Sequence, residues 1–446
     1  MSTERASRPR RSAGAKGRAA RTAPPPAPEL LGPVDRPSSE TVIIVVAAVT
    51  LQLFSWAFLI WLLRPSGRWY HFFDISDIQV VYFDYAQKIA HGLRPYLDFS
   101  VEYPPLALPL FALLPHAGGA SYQDWFAAEM IALCSAAAAL TGATAAALWR
   151  GLRRPLWAAG IYAVAVLAAG AITANRYDVA VALTLAACLL LLAYRHPAGA
   201  GAVLGLGVAL KLTPGMLLPL VLIVADTRRK VVSALIAFLV FTLIPFLPFL
   251  GRIHGLTNIV LYHAHRPLQI ESVPSTLYLI AGAHGWWGIS TGNSFGSQSL
   301  GGPGSAIVAK LTVYVAVLAV AGVYVLVWRR RAVLRAAPEY IAVAALACVL
   351  AFTVFNKVLS PQYMCWTFPL VALVVVGKGR WQRIAGILTM VAIALTQVEF
   401  PKLYWDVVAL HPGPVAVVAA RNAVLVAAAI AAAIAVWKLP ERAGQD

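Results

Sequence analysis

The sequence is short of charge, shorter still of carboxylates, and almost free of cysteine. Asp, Glu, Lys and Arg supply only 12% of its 446 residues, while 60% are hydrophobic. Soluble domains usually carry about 25% charged residues, so this composition excludes an ordinary soluble domain and indicates a membrane protein. The four cysteines, Cys134, Cys188, Cys348 and Cys365, lack the paired spacing of a disulfide or zinc framework and read as small packing residues. Ten-residue segments of alternating polarity are missing too, which excludes a β-barrel; continuous Ala, Leu and Val runs select helices. No glycine-rich nucleotide fingerprint follows a strand, and no cofactor is expected. No internal repeat pairs one half of the chain with the other, which counts against transporters built from repeated halves.

What is present is an all-α, polytopic pattern of about twelve apolar stretches, at 42–63, 125–149, 156–173, 179–194, 200–212, 215–225, 231–250, 305–328, 340–355, 364–376, 384–398 and 415–437. The first is too long for the apolar core of a cleaved signal and reads as a retained helix. The pair flanking Pro214 is short enough to be a broken or re-entrant unit. Basic residues outnumber acidic ones by 36 to 19, giving a net charge of +17. They gather at helix ends and in the first 40 residues, without a basic domain, so nucleic acid is not an expected partner. The positive-inside rule puts the tail 1–40, "RGLRR" from Arg150, "YRH", "DTRRK", "RRRAVLR", "KGRWQR" and the end 439–446 in the cytoplasm. Twelve crossings satisfy this alternation, with both termini inside, if "PPLALPLFALLP" does not cross. The tail 1–40 reads as disordered, and 41–438 as the membrane domain, with membrane lipid as its surroundings.

The other side then holds nearly all the unusual polar residues. Between residues 75 and 91, Ile78, Val81, Tyr82, Tyr85 and Ile89 follow helical spacing, with Asp77, Asp84 and Lys88 on other faces. This predicts a short amphipathic helix in the first outer segment, ended by Gly92 and Pro95. Asp77, Asp84, Asp98 and Glu102 there face a set of cations, Arg176, Lys211, Arg266 and Lys357. Arg176 and Asp178 either serve the site or pair with each other to order their loop. Lys211 interrupts an apolar run, where a lysine either snorkels or finds an anion such as phosphate. His263 and His265 lack a clear third ligand, so no metal site is expected. Trp286, Trp287 and Trp366 are candidates for sugar stacking, although interfacial anchoring is the commoner role.

One carboxylate with several cations suits transfer of a sugar from a lipid phosphate. The departing phosphate is a weak base that cations can stabilise, whereas the attacking hydroxyl needs a base. Attack opposite the phosphate inverts the anomeric centre; a retaining double displacement would call for a second, nucleophilic carboxylate. The alternative is a transporter or flippase of a lipid-linked anion, using the same cations as its binding site. A noncatalytic assembly partner uses these groups least well.

"FDYAQKIAHGLRPYLDFSVEYPPLALPL", "NRYDVAVALTLAA", "LGVALKLTPGMLLPL", "HRPLQIES" and "LSPQYMCWTFPL" occur in that order. In this the chain resembles bacterial polyprenyl-phosphate-sugar-dependent glycosyltransferases of the GT-C class, most closely glycosyltransferase family 87, which includes actinobacterial alpha-mannosyltransferases. The resemblance implies a GT-C-like fold in the bacterial plasma membrane, with the active site outside the cytoplasm. It implies a polyprenyl-phosphate-linked sugar donor, mannose above others, and a glycan or glycolipid acceptor. Asp77 is then the catalytic base, with Asp74 and Asp84 as rivals, and Lys211, Arg266 and Arg176 hold the donor phosphate. Glu102, Tyr103, Asp178, His263, Gln269, Glu271, Ser272, Gln362 and Tyr363 would line the substrate cavity.

Overall fold

The computed structural model describes residues 38–63, 77–115 and 119–440. The tail before residue 38, Asp74 and the residues from 441 lie outside the described residues. Chain order begins with α1 (Ser38–Leu63), α2 (Phe83–Ala90), α3 (Ala107–Ala112), α4 (Gly119–Leu148), α5 (Arg153–Ala169), α6 (Ile172–Asn175) and α7 (Asp178–Ala193). It continues through α8 (Pro197–Leu210), α9 (Leu218–Val224), α10 (Arg228–Leu243), α11 (Ile253–His265) and α12 (Thr276–Ala283) to a hairpin, β1 (Ser290–Ser294) and β2 (Ser297–Gly301). The last elements are α13 (Ser305–Arg329), α14 (Arg331–Ala336), α15 (Ile341–Val354), α16 (Phe368–Val375), α17 (Arg380–Val398), α18 (Tyr404–Val408) and α19 (Pro412–Trp437).

All twelve apolar stretches fall on helices, and the protein is a polytopic helical membrane protein. Among the described residues, six helical runs are long and apolar enough to cross a bilayer, and shorter apolar helices pack between them. With six residues, α3 is about 9 Å long, against a hydrocarbon core of about 30 Å. By itself α3 is therefore too short to cross. The chain near Pro214 is a broken unit: α8 stops at Lys211, which is extended (φ −158°, ψ 136°), and a 3₁₀ turn at Thr213–Leu217 leads into α9. Pro214 sits in the first turn of that 3₁₀ segment, where a missing N–H costs nothing.

Apolar all round, α15 is buried at every residue except Phe352, and α7 and α16 are nearly as enclosed. Such helices belong in the middle of a bundle. Helices α8 and α10 approach each other closely. A Cβ at Gly201 would lie 2.3 Å from the carbonyl oxygen of Ala234, and one at Gly205 2.5 Å from that of Phe238. This small-xxx-small spacing lets two backbones touch, as membrane helix pairs often require.

The basic segments meet at one end of the bundle. Arg195 donates to the carbonyls of Arg335 and Ala336, Arg335 to that of Ile223, and Arg330 to that of Trp437. Arg153, Arg154, Lys378 and Arg383 share one cavity there, and the ammonium of Lys438 lies over the Trp381 ring. The other end holds the polar residues of the outer segments. One of these, 251–304, contains structure that periodicity did not predict: α11, α12 and the antiparallel hairpin. Phe295 (φ 51°) and Gly296 (φ 64°) form its two-residue turn, with the paired positive φ values that match strand twist. Leu268 and Ile270 bond β2 through Leu300 N–H and Gln298 C=O, so the 268–270 stretch lies extended along the hairpin.

Candidate functional site

Three consecutive residues organise the polar end. Helix α6 ends at Arg176, whose extended backbone (φ −136°, ψ 138°) turns the chain before α7 starts at Asp178. The Nε of Arg176 is 2.8 Å from Oδ2 of Asp77; the arginine side chain is 5% exposed and the aspartate 29%. The same guanidinium donates to the Asn175 carbonyl at 2.9 Å and lies over the Phe400 ring, 5.7 Å from its centroid. Asp178, fully buried, accepts at Oδ1 from Lys211 Nζ (2.7 Å) and from Trp366 Nε1 (2.7 Å). Arg176 and Asp178 thus hold different partners, and the direct pair between them that the sequence left open does not form.

Lys211 is enclosed rather than turned to lipid. Its ammonium lies 5.0 Å from the Tyr177 ring, 5.4 Å from Tyr363 and 5.5 Å from Trp366, a cation–π cage closed by the Asp178 carboxylate. Trp366 is buried at 1% exposure and stacks on Tyr363 at 4.2 Å, so it is not an interfacial anchor. Tyr177, between the two ion-paired residues, packs edge-on against Tyr82, Tyr103 and Phe111. Tyr82 stacks on Phe111 at 4.4 Å. The helix carrying Asp77 and the loop carrying Glu102 and Tyr103 are therefore joined to the Arg176–Asp178 turn by one aromatic floor. Tyr96 O–H fixes that loop by donating to the Tyr103 carbonyl at 2.6 Å, and Glu102 faces Tyr262 of α11.

The opposite wall is the extended 268–272 segment. Gln269 N–H donates to the Lys357 carbonyl, and Leu359 N–H to the Gln269 side-chain oxygen, which ties the wall to the chain entering α16. Gln269 Nε2 donates to Glu271 Oε2 at 2.6 Å. Behind it lies a fully buried charge cluster. Glu271 neighbours Glu399, and Arg421 Nη2 sits 4.0 Å from Glu399 Oε2 while donating to the Glu271 carbonyl at 3.0 Å. Asn422 bonds the Glu271 and Ser272 carbonyls and Thr276 Oγ1. Burial raises the Glu271 carboxyl well above its ordinary value, and the neighbouring Glu399 raises it further.

Between floor and wall opens a cavity of ≈ 330 Å³. Of the residues singled out in the sequence, Asp77, Arg176, Gln269, Glu271 and Gln362 line it. The other cations stand beside it. Arg266 donates to Ser297 Oγ, itself on the cavity wall, at 2.7 Å, and Lys357 donates to the Ala264 carbonyl at 2.7 Å. Burial, and secondarily Arg266, lowers the Lys357 ammonium below its usual range. His263 faces Arg266, Lys211 and Lys357 together. Ser272 is a turn residue bonded to Ser275, not a cavity residue. Asp84 is held by Lys88 at 2.6 Å on α2, also off the cavity, and Asp74 lies outside the described residues. Among the described residues, no three His, Cys, Asp or Glu side chains gather as a metal would need.

Sequence reasoning missed Asn293 and Ser297 of the hairpin, Phe400, Tyr404 and Trp405 of the cavity wall, and the Glu399–Arg421 cluster. The hairpin left no clear signal. Arg421 did, as an ionisable residue inside a 26-residue apolar helix.

The sequence profile of glycosyltransferase family 87 matches residues 101–354, more than half of the chain. The chain belongs to glycosyltransferase family 87. Of the candidate residues named from the sequence, Glu102, Tyr103, Arg176, Asp178, Lys211, His263, Arg266, Gln269, Glu271 and Ser272 lie inside the matched segment, while Asp77, Gln362 and Tyr363 lie outside it. Among solved structures it is similar to the crystal structure of ArnT from Cupriavidus metallidurans bound to undecaprenyl phosphate. That similarity has a TM-score of 0.46 at 14% identity, covering 90% of this chain and 77% of the other. No curated protein matches the chain at a significant level.

Proposed function

We propose that this family 87 glycosyltransferase moves a sugar, mannose in the first instance, from a polyprenyl phosphate to an extracytoplasmic glycan or glycolipid with inversion. Asp77 is the base. The observation that carries the reading is the placement of Asp77: partly exposed, bonded to Arg176 at 2.8 Å, on the wall of a cavity shared with Gln269, Glu271 and Gln362. Its sequence rival Asp84 is occupied by Lys88 on the surface of α2.

In this mechanism an acceptor hydroxyl gives its proton to the Asp77 carboxylate while its oxygen bonds the anomeric carbon. The bond from that carbon to the phosphate oxygen breaks, and its electron pair leaves with the polyprenyl phosphate. Arg176 orients Asp77 through Nε. Arg266 and Lys211, beside the cavity, supply positive potential for the leaving phosphate, and Gln269 and Gln362 offer amide groups to sugar hydroxyls. Lys211 acts through its field, since Asp178 already occupies its ammonium. The family membership and the order of the five motifs support the donor class. The positive-inside rule supports a cytoplasmic basic end with both termini there, a membrane domain spanning 41–438, and a site facing outward from a bacterial plasma membrane.

The test incubates the purified full chain in lipid with labelled polyprenyl-phosphate mannose and candidate acceptors. Asp77→Asn is expected to lower transfer by roughly 10²- to 10⁴-fold. Its fold should survive, because the asparagine amide oxygen can still accept from Arg176 Nε and the position is partly exposed, and thermal unfolding of the variant checks this. Asp84→Asn should leave transfer within a few-fold of wild type. Transfer kept by Asp77→Asn but lost in Asp84→Asn would reassign the base, and no turnover with any polyprenyl-phosphate sugar would return the protein to the transport reading.

A further inference from the structure

The bundle carries a second polar cavity, at the end opposite the candidate active site, that the glycosyl-transfer reading does not use. Its volume is ≈ 560 Å³. Arg153 and Arg154 of α5 enter it from one side, Lys378 and Arg383 from the other, and Trp157 and Ile161 complete the mouth. Among the described residues no carboxylate lines it. Four like charges around one space repel one another unless an anion sits among them.

Local structure sharpens that demand. The arginines occupy the first turns of α5 and α17, and neither turn contains an acidic residue. A helix start presents orphan N–H groups and the positive end of the macrodipole, so cations there are misplaced in the absence of a counter-charge. Leu152, the residue before α5, offers no side-chain cap. The cavity therefore gathers four cationic side chains, and among the described residues their one side-chain hydrogen bond is Arg383 Nη2 donating to the Lys378 carbonyl at 3.3 Å.

The setting identifies the anion's carrier. Trp157 is 62% exposed at the mouth, Ile161 is half-buried one turn on, and Val164, 52% exposed, continues the same face of α5 toward the bundle centre. A tryptophan followed by an apolar stripe marks the edge of the hydrocarbon region, with room for an acyl chain directly below the cations. We propose that this cavity binds the phosphate of an anionic phospholipid from the leaflet at the basic end, with its chain along Trp157, Ile161 and Val164. Basic pockets between transmembrane helices suit such headgroups. This inference is independent of the glycosyl-transfer reading.

The test uses the full chain in nanodiscs of phosphatidylcholine doped with phosphatidylglycerol, released into native mass spectrometry to count retained phosphatidylglycerol. Arg154→Gln with Arg383→Gln is expected to weaken retention by about tenfold or more, since two phosphate contacts are removed. Arg154→Lys with Arg383→Lys keeps the charge and should retain most of it. Arg228→Gln with Arg229→Gln, on the first turn of α10 outside the cavity, is the control and should change little. Equal retention in wild type and the cavity variant, or equal loss in the cavity variant and the control, would overturn the proposal. So would full displacement of phosphatidylglycerol by millimolar inorganic phosphate or pyrophosphate, which would assign the cavity to a soluble anion. Glycosyl transfer in the same samples reports separately on the distant site.

Discussion

Replacing Arg421 with methionine removes the one cation from a cluster of three fully buried ionisable side chains. In the native protein its guanidinium lies 4.0 Å from Glu399 Oε2 and donates to the Glu271 carbonyl at 3.0 Å. At an effective dielectric near 20, opposite charges at that separation attract by about 4 kcal/mol. Breaking a buried pair by removing one member usually costs about 3–5 kcal/mol, so the two routes agree. Methionine fills similar space without charge, which isolates the electrostatic part. The loss should depend on pH, because the stranded carboxylate can take up a proton. Each pH unit recovers at most about 1.4 kcal/mol, so much of the deficit at pH 7 should vanish near pH 5. Adding Glu399→Gln to Arg421→Met removes the uncompensated charge and should restore most of the stability at pH 7. Equilibrium unfolding in mixed detergent and dodecyl sulfate micelles, followed by tryptophan fluorescence, measures all four members of this double-mutant cycle. A loss within about 0.5 kcal/mol of wild type would refute the reasoning. A loss equal at both pH values, with the double variant merely additive, would refute it too.

Other outcomes follow from the same geometry. Glu271→Gln should fold, and should flatten the dependence of stability on pH. The raised carboxyl makes a contribution that is fully present below the ordinary 4.5 and fades as pH rises toward the raised value, so wild type gains stability on acidification and the variant does not. Lys211→Met leaves Asp178 buried without its cation and should cost about 3–5 kcal/mol. Adding Asp178→Asn should recover the fold in a thermal-unfolding assay, with donor KM reported separately in the transfer assay. Gly205→Leu forces α8 and α10 apart, with an expected loss of about 1–3 kcal/mol and faster hydrogen exchange confined to those two helices.

Much of the architecture was legible one residue at a time. Runs of Leu, Ala and Val locate the long helices apart from α11, since each long apolar segment has only the helix as a way to satisfy its backbone in lipid. The basic segments around Arg153, Arg195, Arg330 and Lys378 gather at one end of the bundle, because charge at a helix end stays in water whatever the packing. The five motifs placed the chain in its family. The hairpin was not legible: its Ser, Gly, Asn and Gln residues lack the alternation that marks a buried strand, and the edge it pairs with is the irregular 268–270 stretch.

The sequence by itself determined that this is a helical membrane protein whose acids, tyrosines and spare cations collect at one end, because hydrophobic length and terminal charge are properties of contiguous segments. Only the tertiary structure decided which charge meets which. Asp77 goes to Arg176, Lys211 to Asp178, and Arg421 reaches the Glu271 carbonyl across 150 residues. Those pairings depend on how helices distant in the chain are packed and rotated against one another, and neither periodicity nor net charge carries that information.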